Sequence, residues 1–176
     1  LGIVSATNPS RTLLLMRHAK SGYPDGVADH DRPLADRGNR EAPLAGEWIR
    51  AHAPEVEAVL CSTATRTRQT LARTGIEAPA EFLDELYDAT PGTVLAAING
   101  VGDDVRTLLV VGHEPTTSSL ALGLAESDDA DQAATDAANE IAAKFPTSAI
   151  AVLHTDVRWA DLELGGATLV AFHVPR

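Results

Sequence analysis

Three places in the chain put basic side chains directly behind apolar runs: Arg17-His18, Arg66 within "STATRTRQT" (62 to 70), and His113 within Gly112-His113-Glu114-Pro115. An arginine offers a planar fork of donors that matches the oxygens of a phosphoryl group. An imidazole with one nitrogen held by a hydrogen bond keeps the other free to attack phosphorus. Two guanidinium groups and two imidazoles are more donors than a carboxylate ligand needs, and they suit a dianionic phosphoryl group. Brought to one place, Arg17, His18, Arg66 and His113 could perform phosphoryl transfer. His18 is the candidate nucleophile, because a residue following a strand directly has the more rigid platform.

That convergence depends on the elements carrying these residues. "TLLLM" (12 to 16), "VEAVLC" (56 to 61) and "TLLVV" (107 to 111) are too short for helices and read as buried strands. Helices are expected from about Arg37 to His52, with Asp36 as N-cap and Leu44, Trp48 and Ile49 on one face, and from Thr65 to Arg73, ending at Gly75. Pro43 should kink the first of these or delay its start. Further helices are expected from Thr93 to Ile98, from Pro115 to about Ala125, and in an Ala-rich stretch with Ala133, Ala137 and Ile141 along one face. "SAIAVLHTD" and "GATLVAFHV" read as late strands, a hairpin turning near "LELGG". Residues 1 to 11 are expected to form a loose arm and 12 to 176 a single domain. The fold class is α/β, a three-layer α/β/α sandwich with a mostly parallel central sheet. In such a sheet the carboxyl ends of the strands share one edge, where α/β proteins place ligands. The helix starts at Thr65-Arg66 and Pro115-Thr116 would add unpaired backbone N–H groups for an anion.

Composition narrows the partners. A net charge of -11 over 176 residues argues against nucleic acid and against anionic lipid, since the mean field repels both. Most of the lysines and arginines nevertheless lie between Arg11 and Arg73, which permits a basic site inside an acidic protein. Cys61 is the only cysteine, so no internal disulfide and no Cys/His zinc set can form; no metal is expected, and a reducing cytoplasm is compatible. No apolar run approaches the roughly 20 residues of a membrane span.

"MRHAKS", "STATRTRQT" and "VGHEP" resemble the Arg-His-Gly, Ser-Pro-x-x-Arg-Ala-x-Gln-Thr and Gly-His-Asn-Pro signatures of the histidine phosphatase superfamily, relatives of phosphoglycerate mutase. "DRPLADRGNREA", "DELYDATPG", "KFPTSAIAVL" and "GATLVAFHVP" are similar to its small phosphohistidine phosphatase branch, the SixA type, so the resemblance spans the chain from Thr12 onward. It implies a phosphoglycerate mutase-like fold and a cofactor-independent phosphatase in which His18 becomes phosphorylated while Arg17, Arg66 and His113 hold the phosphoryl oxygens. It implies either phosphohistidine in a protein or a small phosphate ester as substrate. For an ester, Glu85 or Asp88 in "DELYDA" is the expected general acid; a phosphohistidine, leaving as imidazole, could dispense with one. Arg32 is expected at the substrate rim, beside Asp31.

The chain departs from the signatures at Ala19 (usually Gly), Thr63 (often Pro) and Glu114 (often Asn). A carboxylate at 114 would repel phosphate unless it points away or pairs, and it lends weight to a binding module without turnover. The segment between Arg66 and His113 is largely filled by the elements assigned to it, which leaves little chain for a lid and favours a pocket open to a phosphorylated side chain on a protein surface. Cys61 reads as a core residue, Trp48 and Trp159 as packing anchors, the acids at 126 to 131 as a solvated loop, and Lys20 and Ser21 as loop-solvating residues. No role is expected for His30, His52, His154 or His173. Nothing in the sequence indicates an oligomeric state.

Overall fold

The structure, a computed structural model, describes residues 10–126 and 131–176. Residues 1–9 of the expected arm and most of the expected acidic loop, 127–130, lie outside the described residues.

Six strands form one sheet in the order β3-β2-β4-β1-β5-β6. They are β1 (Arg11–Arg17), β2 (Ala58–Ser62), β3 (Ala80–Leu83), β4 (Thr107–Gly112), β5 (Ile150–Thr155) and β6 (Thr168–His173). The helices are α1 (Asp36–His52), α2 (Thr65–Thr74), α3 (Pro91–Asn99), α4 (Thr116–Leu124) and α5 (Gln132–Ala143). Neighbours among β1 to β4 pair in parallel, β5 runs antiparallel to β1, and β6 antiparallel to β5. The sheet is therefore mostly parallel, as expected.

Alternation along the central strands builds the three layers. Leu13 and Leu15 of β1 pack with Val94 and Ile98 of α3, Leu120 of α4 and Ile141 of α5. Leu14 and Met16 face the other way, onto Ile49 of α1 and Leu71 of α2. Cys61 is wholly buried on that side, and burial pushes its thiol pKa up to about 12, so it is an inert core residue.

Several elements differ from expectation. Strand β1 begins at Arg11, whose buried guanidinium donates to the Val157 (3.2 Å) and Asp103 (3.0 Å) carbonyls. Asp36 is the first helical residue of α1, not its N-cap, and the helix runs through Pro43 without ending there. Its buried face is Ala42, Ala45, Gly46 and Ile49 in place of Leu44 and Trp48, because α1 approaches α2 too closely for large side chains. A Cβ on Gly46 would lie 2.0 Å from the Thr74 carbonyl oxygen. Gly46→Ala is therefore expected to force the two helices apart and lower the chemical-denaturation midpoint, at a cost of ~2–3 kcal/mol.

Edge strand β3 was not expected; its residues are exposed or half-buried and carry no apolar run to announce it. Helix α3 starts earlier than expected, with Thr90 as N-cap and Pro91 in the first turn. Strands β5 and β6 are partners, but a 3-10 turn at Trp159–Asp161 lies in their connection, and Trp159 is buried there with Nε1 donating to the Val105 carbonyl (2.7 Å). Trp48 is only half-buried, stacked between the His52 and His173 rings. Among the described residues, no helix is long and apolar enough to cross a membrane.

Candidate active site

The register of the sheet puts the ends of β1, β2 and β4 side by side: Arg17 pairs with Gly112, and Cys61 with Val111. The residues that follow therefore leave the sheet at one edge. His18 is fixed there through its backbone, its N–H donating to the Gly112 carbonyl and its carbonyl accepting from Ser148 N (both 3.0 Å). The next amide, Ala19 N, donates to Thr70 Oγ1 of α2 (2.9 Å). Ala19 packs with Leu34 and Ala42, and only Asp88 and Ser148 among the described non-glycine residues have positive φ, so alanine at 19 meets no backbone penalty.

The His18 ring lies 2.7 Å through Nδ1 from the Ala19 carbonyl, a contact that requires Nδ1 to carry the proton. Nε2 then holds a free lone pair. Burial, and secondarily the His113, Arg17 and Arg66 charges, push the His18 pKa down to about 3, so this ring is neutral at ordinary pH.

The His113 ring centroid is 5.3 Å from that of His18, and its Nε2 meets Ser62 Oγ at 2.8 Å. Burial and the nearby Arg66 charge bring His113 down to about 4. Between those values and the ordinary 6.5, an unfolded chain binds more protons than the folded one. Stability from this source is complete above pH 6.5 and is lost as the pH falls toward 4. Denaturant titrations are expected to show a loss on the order of 5 kcal/mol between pH 7 and pH 4.5, and roughly half of that in His18→Ala.

The two arginines are held by different partners. Arg17 Nη1 donates to the Phe145 carbonyl (3.0 Å), and burial lowers its pKa. Arg66 is 6% exposed; Nη1 donates to the Asp29 carbonyl (2.7 Å) and Nη2 to Asp29 Oδ2 (3.1 Å). Arg17 Nε, Arg66 Nε and His113 Nδ1 are buried with no hydrogen-bond partner. The two buried arginine N–H groups without acceptors at a cationic edge fit a ligand rich in acceptor oxygens.

Glu114 does not occupy the pocket's donors. Its carboxylate accepts from Ser118 N (2.6 Å) and Ser118 Oγ (2.7 Å) and so closes the first turn of α4. The Thr117 and Ser119 amides bond to the His113 and Pro115 carbonyls. Three of the first amides of this helix, those of Thr117, Ser118 and Ser119, are therefore spent within the chain. Pro115 is the N-cap, not the first helical residue.

Arg32 is a clamp. Nε donates to Asp29 Oδ1 (3.0 Å), Nη1 donates to Ser21 Oγ (2.7 Å) and the Gly22 carbonyl (3.1 Å), and the guanidinium lies 4.1 Å from the Tyr23 ring centre. Glu85 stands exposed on the 3-10 turn Asp84–Leu86, next to Leu86, which lines a small cavity with His113.

Sequence reasoning passed over Asp29, Ser62, Thr70 and Tyr87. The Tyr87 hydroxyl donates to Asp29 Oδ2, and its ring meets those of His113 (5.5 Å) and His30 (4.8 Å) edge to face. His30 Nε2 is 3.0 Å from Thr63 Oγ1, which donates to Asp84 Oδ1 (2.6 Å), a link that proline at 63 could not make. Asp29 and Tyr87 lie in "DHDRPL" and "DELYDA", where Arg32 and Glu85 drew attention instead.

The model of the histidine phosphatase superfamily (branch 1) matches residues 13–163. An uncharacterised protein of Mycobacterium tuberculosis (strain ATCC 25618 / H37Rv) is 66% identical over 161 residues, covering 92% of this chain and 100% of that one. Phosphohistidine phosphatase SixA of Escherichia coli (strain K12) is 31% identical over 150 residues, covering 82% of this chain and 85% of that one. Among solved structures, a protein from Nakamurella multipartitia provisionally assigned as phosphohistidine phosphatase SixA superposes with a TM-score of 0.86 at 43% identity, covering 95% of this chain and 97% of that one.

Proposed function

Because the chain belongs to the histidine phosphatase superfamily (branch 1), we propose that it is a cofactor-independent phosphatase that works through a transiently phosphorylated His18 and acts on phosphohistidine in cytoplasmic proteins. The Nε2 lone pair of His18 attacks phosphorus as the bond to the leaving nitrogen breaks. The released electron pair stays on the substrate imidazole, which keeps the proton already on its other ring nitrogen and leaves as the neutral ring. Arg17, Arg66 and His113 hold the phosphoryl oxygens, and positioning with charge stabilisation carries the step. Water then attacks phospho-His18. The P–N bond breaks back onto Nε2, which regains its lone pair, both water protons stay with the phosphate, and inorganic phosphate departs.

The observation that carries the phosphohistidine reading is the state of the carboxylate tied into the pocket. The bond from Tyr87, with those from Arg32 and Arg66, holds Asp29 well below the usual carboxylate range, which disfavours it as a proton donor to a leaving group. An alkoxide would need such an acid, whereas an imidazole, with a conjugate-acid pKa of ~6.5, departs without one. For an ester substrate, this reading assigns the proton to Glu85.

The test compares phosphohistidine-bearing carrier proteins with small phosphate esters, and looks for acid-labile phosphate on the enzyme during turnover. Faster release from the carrier proteins is expected. Brisk ester cleavage with every carrier left phosphorylated would make the chain a metabolite phosphatase. Phosphate binding with neither label nor turnover would make it a binding module.

A further inference from the structure

Resting on that reading of the pocket, we propose that Asp29 is a positioning residue, which pins the Arg66 guanidinium by both terminal nitrogens and so presents its remaining donors to the phosphoryl group. A guanidinium has five N–H groups in a fixed plane. Asp29 takes one from Nη1 through its backbone carbonyl and one from Nη2 through its carboxylate. The edge joining the two terminal nitrogens is thereby spent, and Nε, buried and without a partner, belongs to the edge left for a ligand.

Asp29 is itself held from two further directions. Arg32 donates to Oδ1 and the Tyr87 hydroxyl to Oδ2, so the carboxylate ties the 3-10 turn Asp29–Asp31 to α2 and to the residue following the turn Asp84–Leu86. The Tyr87 ring in turn lies 5.8 Å from the Arg66 guanidinium carbon and edge-on to His113. The long Arg66 side chain is thus ordered before any ligand arrives, and ordering that need not occur on binding adds to affinity.

The same carboxylate also repels a phosphate dianion, and the two effects have opposite signs. The Asp29 side chain is 54% exposed, whereas that of Arg66 is 7% exposed. Solvent screens the repulsion far more than it weakens the orientation of a buried fork, so positioning dominates.

Inorganic phosphate binding, followed by calorimetry, tests this without reliance on turnover. Asp29→Ala is expected to weaken binding about tenfold, although it removes a negative charge, and Asp29→Asn should fall between it and the unaltered chain. With Arg66→Lys, which keeps the charge but has no fork to orient, the further change Asp29→Ala should no longer weaken binding. Thermal midpoints identify any variant that has lost its fold, in which case Asp29→Asn carries the comparison. Tighter or unchanged binding in Asp29→Ala overturns the proposal, as does equal weakening in both backgrounds, or an unaltered chain that does not bind phosphate. Phosphate binding with the expected pattern but no phospho-His18 leaves the positioning role intact and removes only the catalytic reading.

Discussion

His18→Ala is expected to abolish turnover, lowering kcat/KM by about four orders of magnitude or more, and to remove all acid-labile phosphate from the protein. Loss of the nucleophile leaves phosphate binding by Arg17, Arg66 and His113 in place, so the variant should still bind inorganic phosphate. It should also fold, because the imidazole's hydrogen bond is the local one to the Ala19 carbonyl, while the bonds that fix this segment come from the His18 and Ala19 backbone. Steady-state assays beside a phosphate titration separate the two effects. Unchanged hydrolysis in a folded His18→Ala protein removes the proposed intermediate outright.

Arg66→Ala is expected to lower kcat/KM by roughly a thousandfold, about 4 kcal/mol of transition-state stabilisation. The charge on a transferring phosphoryl group is spread over its oxygens, and a buried guanidinium acts there with little competition from water. Lysine should recover only part of the loss, since an ammonium supplies the charge without the planar fork. Arg66 also ties α2 to the 3-10 turn Asp29–Asp31, so some loss of stability should accompany the kinetic defect. A folded Arg66→Ala enzyme of near-normal kcat/KM would place the phosphoryl group elsewhere.

What was legible beforehand followed from local pattern. The apolar runs at 12 to 16, 56 to 61 and 107 to 111 announced β1, β2 and β4, and the basic residues behind them do meet at one sheet edge. Gly75 ends α2 in the left-handed conformation, as its position suggested. The misses have a common physical cause. Edge strand β3 owes its form to pairing with β2, not to any apolar run of its own. The burial of Gly46 in place of Leu44 depends on how near α2 comes. Asp29 and Tyr87 matter only through each other and Arg66, across 58 and 37 positions of chain, and neither sits in a run or spacing that marks it. That the Glu114 carboxylate turns to the start of α4 likewise depends on a residue one helical turn away, Ser118.

The backbone of His18 is gripped by Gly112 on one side and Ser148 on the other, which has a consequence for biosynthesis. Residue 148 is synthesised well after residue 18, so the backbone around His18 cannot close until that later segment is present, and long-range closures of this kind are slow.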